Sequence, residues 1–140
     1  MRINKALGEH MSLEKLFVAY FVMVYEDVWF EFESDIIKRK EISYGLQGQM
    51  FISSSIELAY EMATAMIDGM SDANNDGKGD QFRMYSSGIN NLEEVSYFDG
   101  DFRAQLSDTY GIDCGHIDIE NSFNDSFKPI VKSKNEILKS

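Results

Sequence analysis

Hydrophobic residues are densest between positions 16 and 25, where both faces of an extended chain would be apolar. This segment reads LFVAYFVMVY and is rich in β-branched and aromatic side chains. Apolar residues at both parities are typical of a central strand that is covered on both faces. From Val28 onward polar and apolar positions alternate. The alternation predicts a half-buried stretch, either a hairpin partner or a bent continuation beyond Glu26 and Asp27.

The clearest helical pattern lies between residues 55 and 69. Ser54, with Glu57 three residues later, matches a capping box, and Gly69 suits a helix end. Between them apolar side chains recur at helical spacing on one face: Ile56, Ala59, Tyr60, Ala63, Met66, Ile67 and Met70. We therefore expect one principal helix, about 55–69, that packs on one face of a sheet.

The remaining segments predict further strands and less regular structure. Residues 34–48 are polar and charged and contain two glycines, so we expect a loop or a ragged hairpin there. Strands are expected over 49–53, over 81–87 and 89–95 (two strands or one interrupted strand) and over 112–120, with a short helix over 102–110. The fold class is therefore α+β. We expect a mostly antiparallel sheet of roughly four to six strands, with one principal helix on one face and smaller helical segments.

A chain of 140 residues is long enough to form one domain with its own core. We divide it into a loosely held leader over 1–10, a single domain over 11–128 and a basic C-terminal tail over 129–140. The longest apolar run is too short to cross a bilayer, so no membrane segment is expected. The single cysteine, Cys114, forbids an internal disulfide and fits a reducing compartment. The sequence therefore predicts a cytoplasmic protein.

Charge is distributed unevenly along the chain. The formal net charge is −11, and the acids are concentrated in residues 57–125. The clearest basic run is Lys38, Arg39 and Lys40. An acidic protein repels nucleic acid and anionic membranes and attracts basic protein surfaces. We expect a protein partner with a basic surface, no nucleic acid and no membrane. Ordinary solubility of a small acidic protein is the alternative explanation.

Oxygen-bearing side chains recur at alternate positions of residues 72–80: Asp72, Asn74, Asp76 and Asp80, with Gly77 at the sixth position. Ca²⁺ takes six or more oxygen ligands, and a glycine permits the sharp turn of such a loop. The stretch resembles the calcium loops of thrombospondin-type repeats and of integrin-type propeller blades. That resemblance implies that the ninth-position acid, Asp80, helps to close the coordination shell.

Two features of this stretch favour a simple polar turn instead. Lys78 lies inside the loop, so we count it with the candidate site residues, because its ammonium would neutralise the carboxylates without a metal. The twelfth position, where a helix–loop–helix calcium site has a bidentate Glu, is Arg83. Ca²⁺ binding at Asp72, Asn74, Asp76 and Asp80 therefore remains one of two interpretations, the other being a solvated turn.

Catalytic patterns are scarce. On a strand over 112–120, Cys114 and His116 would share one face with Asp118 and Glu120, which suggests a thiol–imidazole pair or a metal site. Strand neighbours two apart lie about 7 Å from each other and converge poorly, so a solvated strand face is the alternative. No phosphate-binding glycine loop, nucleophile elbow or zinc-protease motif occurs.

Trp29 lies among acids at alternate positions, including Glu31 and Glu33. Aromatic side chains anchor protein interfaces and carboxylates attract cationic partners, so these three residues are a candidate partner-binding patch. Cover by the helix or by the C-terminal segment is the alternative. We expect a non-enzymatic binding protein of bacterial or phage type, such as an inhibitor or immunity-like protein that blocks a basic surface. The calcium-binding module and an enzyme using Cys114 and His116 are the alternative functions.

Overall fold

The computed structural model describes residues 14–31, 36–75, 80–95, 112–118 and 128–139. These residues form the strands β1 (Lys15–Phe30), β2 (Ile37–Ser53), β3 (Asp72–Asn75), β4 (Asp80–Val95) and β5 (Ile112–Asp118). They also form the helices α1 (Ile56–Ile67) and α2 (Lys134–Lys139), with a 3₁₀ turn (Asp68–Met70) directly after α1.

The strands pair into one antiparallel sheet in the order β3-β4-β1-β2-β5. Its architecture is α+β: five antiparallel strands with one principal helix and one smaller helix among the described residues. The central strand is β1, which pairs with β2 along one edge and with β4 along the other. This arrangement places the most apolar segment of the chain in the middle of the sheet.

Strand β1 is buried on both faces over its first half, as its composition predicts. Residues 16–24 are buried except for the partly exposed Tyr20. The strand runs without a break to Phe30, so the alternating stretch after Val28 is a continuation of β1 and not a hairpin partner. Over residues 25–30 the burial falls to intermediate values, apart from Glu26.

The expectation of a loop or ragged hairpin over residues 34–48 is wrong for residues 37–48, which belong to the long strand β2. Many of these residues are polar or charged and two are glycines, but the strand pairs with β1 over almost its whole length. Cross-strand packing and the ladder of hydrogen bonds override such weak local preferences. The basic run at residues 38–40 is accommodated because it lies at the exposed end of the strand.

The principal helix agrees with the predicted position to within a residue or two. The cap is Ser55, whose hydroxyl oxygen accepts a hydrogen bond of 3.1 Å from the Leu58 backbone N–H. The apolar stripe of α1 packs on the sheet through Ala59, Ala63 and Met66. These residues join one buried cluster with side chains of β1, β2 and β4: Phe17, Ala19, Phe21, Met23, Phe51, Ile89 and Leu92.

The basic C-terminal tail is attached to the edge of β4. The backbone N–H of Lys132 donates to the Ile89 carbonyl at 2.9 Å, and the Asn90 side chain donates to the Ile130 carbonyl at 2.8 Å. Gly88 has a φ of 148°, and a Cβ there would lie 2.5 Å from Val131, so the close passage of the tail requires glycine.

The basic C-terminal tail forms the short helix α2 over Lys134–Lys139, which packs against α1. Ile137 is 0% exposed and belongs to the same cluster as the sheet residues beneath α1. At the surface, the Lys134 ammonium donates to Glu61 at 2.8 Å. Residues 129–139 therefore include a side chain of the core.

The leader over 1–10 and the short helix expected over 102–110 lie outside the described residues. Within the described part of the chain, neither helix has the length and hydrophobicity that crossing a bilayer requires.

Candidate functional site

The sheet extends well beyond the helix that covers it. The buried cluster beneath α1 ends on β1 at Met23, and Tyr25 and Met84 are packed at its margin. Past this margin the same side of the sheet carries a mixed aromatic and acidic surface, which we call the distal face. It consists of Tyr25, Asp27 and Trp29 on β1, Arg39, Glu41 and Ser43 on β2, and Asp80, Phe82 and Met84 on β4.

Aromatic rings make up much of the distal face. Tyr25 and Phe82 stack with centroids 6.4 Å apart and an angle of 16° between their planes. Trp29 is half-buried, and the guanidinium of Arg39 lies over its ring, 4.9 Å from the centroid. Arg39 also forms an ion pair with Glu41, its neighbour on the same face. The rings are therefore held in place by partners from three strands.

The two sides of this end of the sheet carry opposite charges. On the distal face, three carboxylates accompany one base: Asp27, Glu41 and Asp80 with Arg39. On the opposite side, the equivalent positions hold two bases and one acid, Lys40, Arg83 and Glu26. A cationic partner is therefore attracted to the distal face and repelled from the opposite side.

On the opposite side, the central strand carries one buried carboxylate, that of Glu26, which is tolerated because it has partners within the protein. It is 8% exposed, forms an ion pair with Arg83 and accepts a hydrogen bond of 3.2 Å from the Tyr85 hydroxyl. Burial, followed by the negative charge of Glu26, raises the pKa of Tyr85 above its ordinary value. The carboxylate is therefore satisfied internally and takes no part in the acidic distal face.

The candidate partner patch of Trp29, Glu31 and Glu33 is described in part. Trp29 and Asp27 lie on the same face, as the alternation predicts. Glu31 is exposed directly after β1, and its backbone N–H donates to the Ile36 carbonyl at 2.8 Å. Glu33 lies outside the described residues. The structure adds Glu41, Asp80 and Phe82, which sequence reasoning missed because only strand pairing brings them beside Trp29.

A cavity of about 350 Å³ lies where the distal face meets the core. Its lining side chains come from four strands and the 3₁₀ turn: Met23, Tyr25, Gln47, Gln49, Met70, Met84 and His116. The Tyr25 hydroxyl lies 2.9 Å from Nε2 of His116 and 3.1 Å from Nδ1. The two rings meet edge to face with centroids 5.6 Å apart.

Gly45 allows this contact between a residue of β5 and a residue of β1. It lies on the intervening strand β2, and a Cβ there would be 2.9 Å from Cε1 of the His116 ring. The imidazole therefore extends across β2 over the glycine and reaches Tyr25. In the sequence, Gly45 suggests a turn. In the structure it lies in a strand, and the close approach of the His116 imidazole is the reason that a glycine is required there.

Strand β5, which carries the candidate pair of Cys114 and His116, has an irregular register with β2. Gly48 pairs with Gly115 and Gln49 pairs with Asp113, so Cys114 is left without a Cα partner as a bulge residue. The thiol–imidazole pair of Cys114 and His116 stays a prediction. His116 contacts Tyr25, a pairing that its position in the sequence did not suggest. Glu120 lies outside the described residues.

Three of the candidate calcium residues lie in the two paired strands β3 and β4. Asp72 and Asn74 belong to β3 and pair with Met84 and Phe82 of β4, which begins at Asp80. Asp76 and Lys78 lie outside the described residues. Among the described residues no group of three His, Cys, Asp or Glu side chains is arranged to hold a metal ion. Calcium binding stays a prediction.

The fold and the site define a small α+β protein whose sheet combines a helix-covered core with an aromatic, acidic distal face. Comparison of the chain with protein-family models, with curated proteins and with solved structures found no match.

Proposed function

We propose that this protein is a cytoplasmic, non-catalytic binding protein whose distal face captures a basic segment of a partner protein. An inhibitor or immunity-like protein of bacterial or phage type is the most specific form of this proposal. The observation that carries it is the distal face itself, which neither helix of the described part of the chain covers and where Trp29, Tyr25 and Phe82 lie among three carboxylates. The single cysteine supports a reducing compartment.

Charge complementarity supports a cationic partner. Asp27, Glu41 and Asp80 are placed on three adjacent strands, so a bound chain that crosses the strands meets one carboxylate on each. Carboxylates arranged in this way speed the encounter with a basic partner and specify its orientation.

The aromatic rings of the distal face favour a partner segment that is rich in arginine and not in lysine. Arg39 already shows the geometry, since its guanidinium lies over Trp29 and pairs with the Glu41 carboxylate at the same time. A planar guanidinium stacks on aromatic rings and forms bidentate pairs with carboxylates, whereas an ammonium acts as a compact point charge. An arginine-rich peptide segment therefore suits the rings of Trp29, Tyr25 and Phe82 and the acids between them.

The experiment uses the single tryptophan, which is Trp29. A short arginine-rich peptide without tryptophan is titrated into the full chain while Trp29 fluorescence is followed at several salt concentrations. We expect a saturable change that weakens steeply with salt, because exposed charges are screened within about 10 Å at 0.1 M ionic strength. A lysine-rich peptide of the same length should bind more weakly, and a glutamate-rich peptide should not bind.

A pair of matched variants separates the distal face from general acidity. Asp27→Asn/Asp80→Asn and Glu93→Gln/Glu94→Gln change the net charge equally, and Glu93 and Glu94 lie exposed at the other end of β4. We expect the first variant to bind the arginine peptide about three- to tenfold more weakly, since exposed ion pairs contribute roughly 0.2–1 kcal/mol each. Equal weakening by the two variants would show that the peptide senses net charge only and would overturn the proposal.

A further inference from the structure

Three methionine side chains from three different elements line the cavity at the margin of the core. Met23 comes from β1, Met70 from the 3₁₀ turn after α1, and Met84 from β4. Methionine often fills irregular gaps in cores because its side chain is unbranched and flexible. Here, however, a space of about 350 Å³ remains between the three side chains and their neighbours. The three methionines therefore line an open cavity, and they pack against the core as well.

The other lining residues add an imidazole and neutral polar groups. His116 enters from β5 above Gly45, and the side chains of Gln47 and Gln49 come from β2. No carboxylate is among the lining residues within the described part of the chain. Hard cations such as Ca²⁺ and Mg²⁺ require several oxygen ligands, usually including carboxylates, so this lining disfavours them.

We propose that this cavity binds a soft monovalent metal ion, Cu(I), through the thioether sulfurs of Met23, Met70 and Met84 and the imidazole of His116. Thioether and imidazole ligands suit soft metal ions, and thioethers in particular select Cu(I) over hard divalent cations. The thioether has no proton to lose, so three such ligands can line a partly buried cavity without a charge that needs compensation. The cavity is wider than the ion, but methionine side chains are flexible enough to close around it.

Tyr25 positions the imidazole in this site. Its hydroxyl lies within 3.1 Å of both ring nitrogens of His116, so a metal ion that takes one nitrogen leaves the hydroxyl within reach of the other. A hydrogen bond to the second nitrogen fixes the orientation of a histidine ligand and tunes its basicity. Gly45 completes the arrangement, because a side chain there would push the ring away from Tyr25.

The first test follows the methionine methyl groups by NMR during titration with Ag(I), which is a redox-stable stand-in for Cu(I). The full chain carries ¹³C-methyl-methionine and the substitution Cys114→Ser, so that the single thiol cannot bind the metal. Of the eight methionines, those of Met23, Met70 and Met84 should shift and saturate together at one equivalent. Unchanged spectra, or shifts centred on other methionines, would overturn the proposal.

The second test measures Cu(I) affinity under anaerobic conditions by competition with a Cu(I) chelator. Met84→Leu keeps the side-chain volume, so it should fold and weaken Cu(I) binding about tenfold or more. Met50→Leu is the matched control, because Met50 pairs with Val18 on the opposite side of the sheet and should leave the affinity unchanged.

Gly45→Ala provides an independent variant that removes no ligand. It should displace the His116 ring and weaken Cu(I) binding while the three methionine methyl groups still shift with Ag(I). Equal Cu(I) affinity for wild type, Met84→Leu and Gly45→Ala would rule out the site. A shift of the same methyl groups by a small apolar molecule, with none by Ag(I), would identify the cavity as an organic-ligand pocket and also contradict the proposal.

Discussion

The two halves of the central strand have different tasks, although they belong to one continuous element. In the first half, residues 16–24 of β1 are buried beneath α1 and on the opposite side, with Tyr20 as the exception. In the second half, residues 25–30 are partly exposed except for Glu26. The comparison teaches that one sheet can supply the core with one end and present a surface with the other. Substitutions at the two ends should therefore affect different properties.

The largest expected effect comes from a matched pair of phenylalanines. Phe21 is 0% exposed in the core, so Phe21→Ala should lower the free energy of unfolding by about 3–5 kcal/mol. Phe82 is only half-buried on the distal face, so Phe82→Ala should lower it by well under half as much. Urea denaturation of both variants measures the difference. Similar losses would mean that the distal half is as much a part of the core as the first half.

The C-terminal helix should behave as part of the covered half. Ile137 is 0% exposed, so Ile137→Ala should lower the free energy of unfolding by about 2–5 kcal/mol. Ile130 is 69% exposed, so Ile130→Ala serves as the control and should change the stability by about 0.5 kcal/mol or less. Thermal and urea unfolding compare the two. A small effect of Ile137→Ala would place residues 129–139 outside the cooperative unit.

Calcium binding would give residues 72–80, which lie beside the distal half of the sheet, a function of their own. If residues 72–80 hold Ca²⁺, the wild type should be stabilised in millimolar Ca²⁺ relative to EDTA, by about 1.4 kcal/mol at ten times Kd. The variant Asp72→Asn/Asp76→Asn should melt at the same temperature in both conditions. Thermal melts with Mg²⁺ as the control ion measure this. Identical melts of wild-type protein in EDTA and Ca²⁺ would identify these residues as a polar turn.

The smallest expected effect concerns alkaline pH on the side opposite the distal face. Burial and the Glu26 carboxylate raise the pKa of Tyr85, so the folded state holds the phenolic proton more tightly than the unfolded state. The resulting stabilisation is fully present below pH 10.0 and is lost as the pH rises through the higher pKa of the folded protein. Wild type should therefore lose more stability than Tyr85→Phe when urea unfolding is repeated above pH 10. Parallel losses would mean that other groups control the alkaline transition.

The sequence predicts those parts of the fold that are specified locally. The apolar run of 16–25 and the stripe of α1 each contain enough periodic residues to define a strand and a helix within a short window. For β2 the local pattern predicts residues 49–53 but not residues 37–48, which depend on pairing with β1. Long-range pairing is not visible in a local pattern.

The sites depend even more on contacts between distant parts of the chain. Tyr25 and His116 are separated by 91 positions, and their contact requires both the strand order and the glycine at position 45. Cys114 is a bulge residue of β5, and strict alternation along residues 112–120 does not predict such an irregularity. Trp29 was recognised from its acidic neighbours along the strand, whereas Phe82, Glu41 and Asp80 join it only across strands.

Because Ile137 belongs to the buried cluster under α1, this cluster can be completed only late in synthesis. Strand β1 is made early, yet it pairs with β4 over positions such as Leu16 with Val95, and its buried cluster also includes Ile137. Loop closures over such distances are slow, and the hydrophobic strand must wait for its partners. A ribosome must therefore release residue 137 before the cluster is complete. Until then the buried cluster lacks Ile137, and part of its apolar surface is open to chaperones and to other nascent chains.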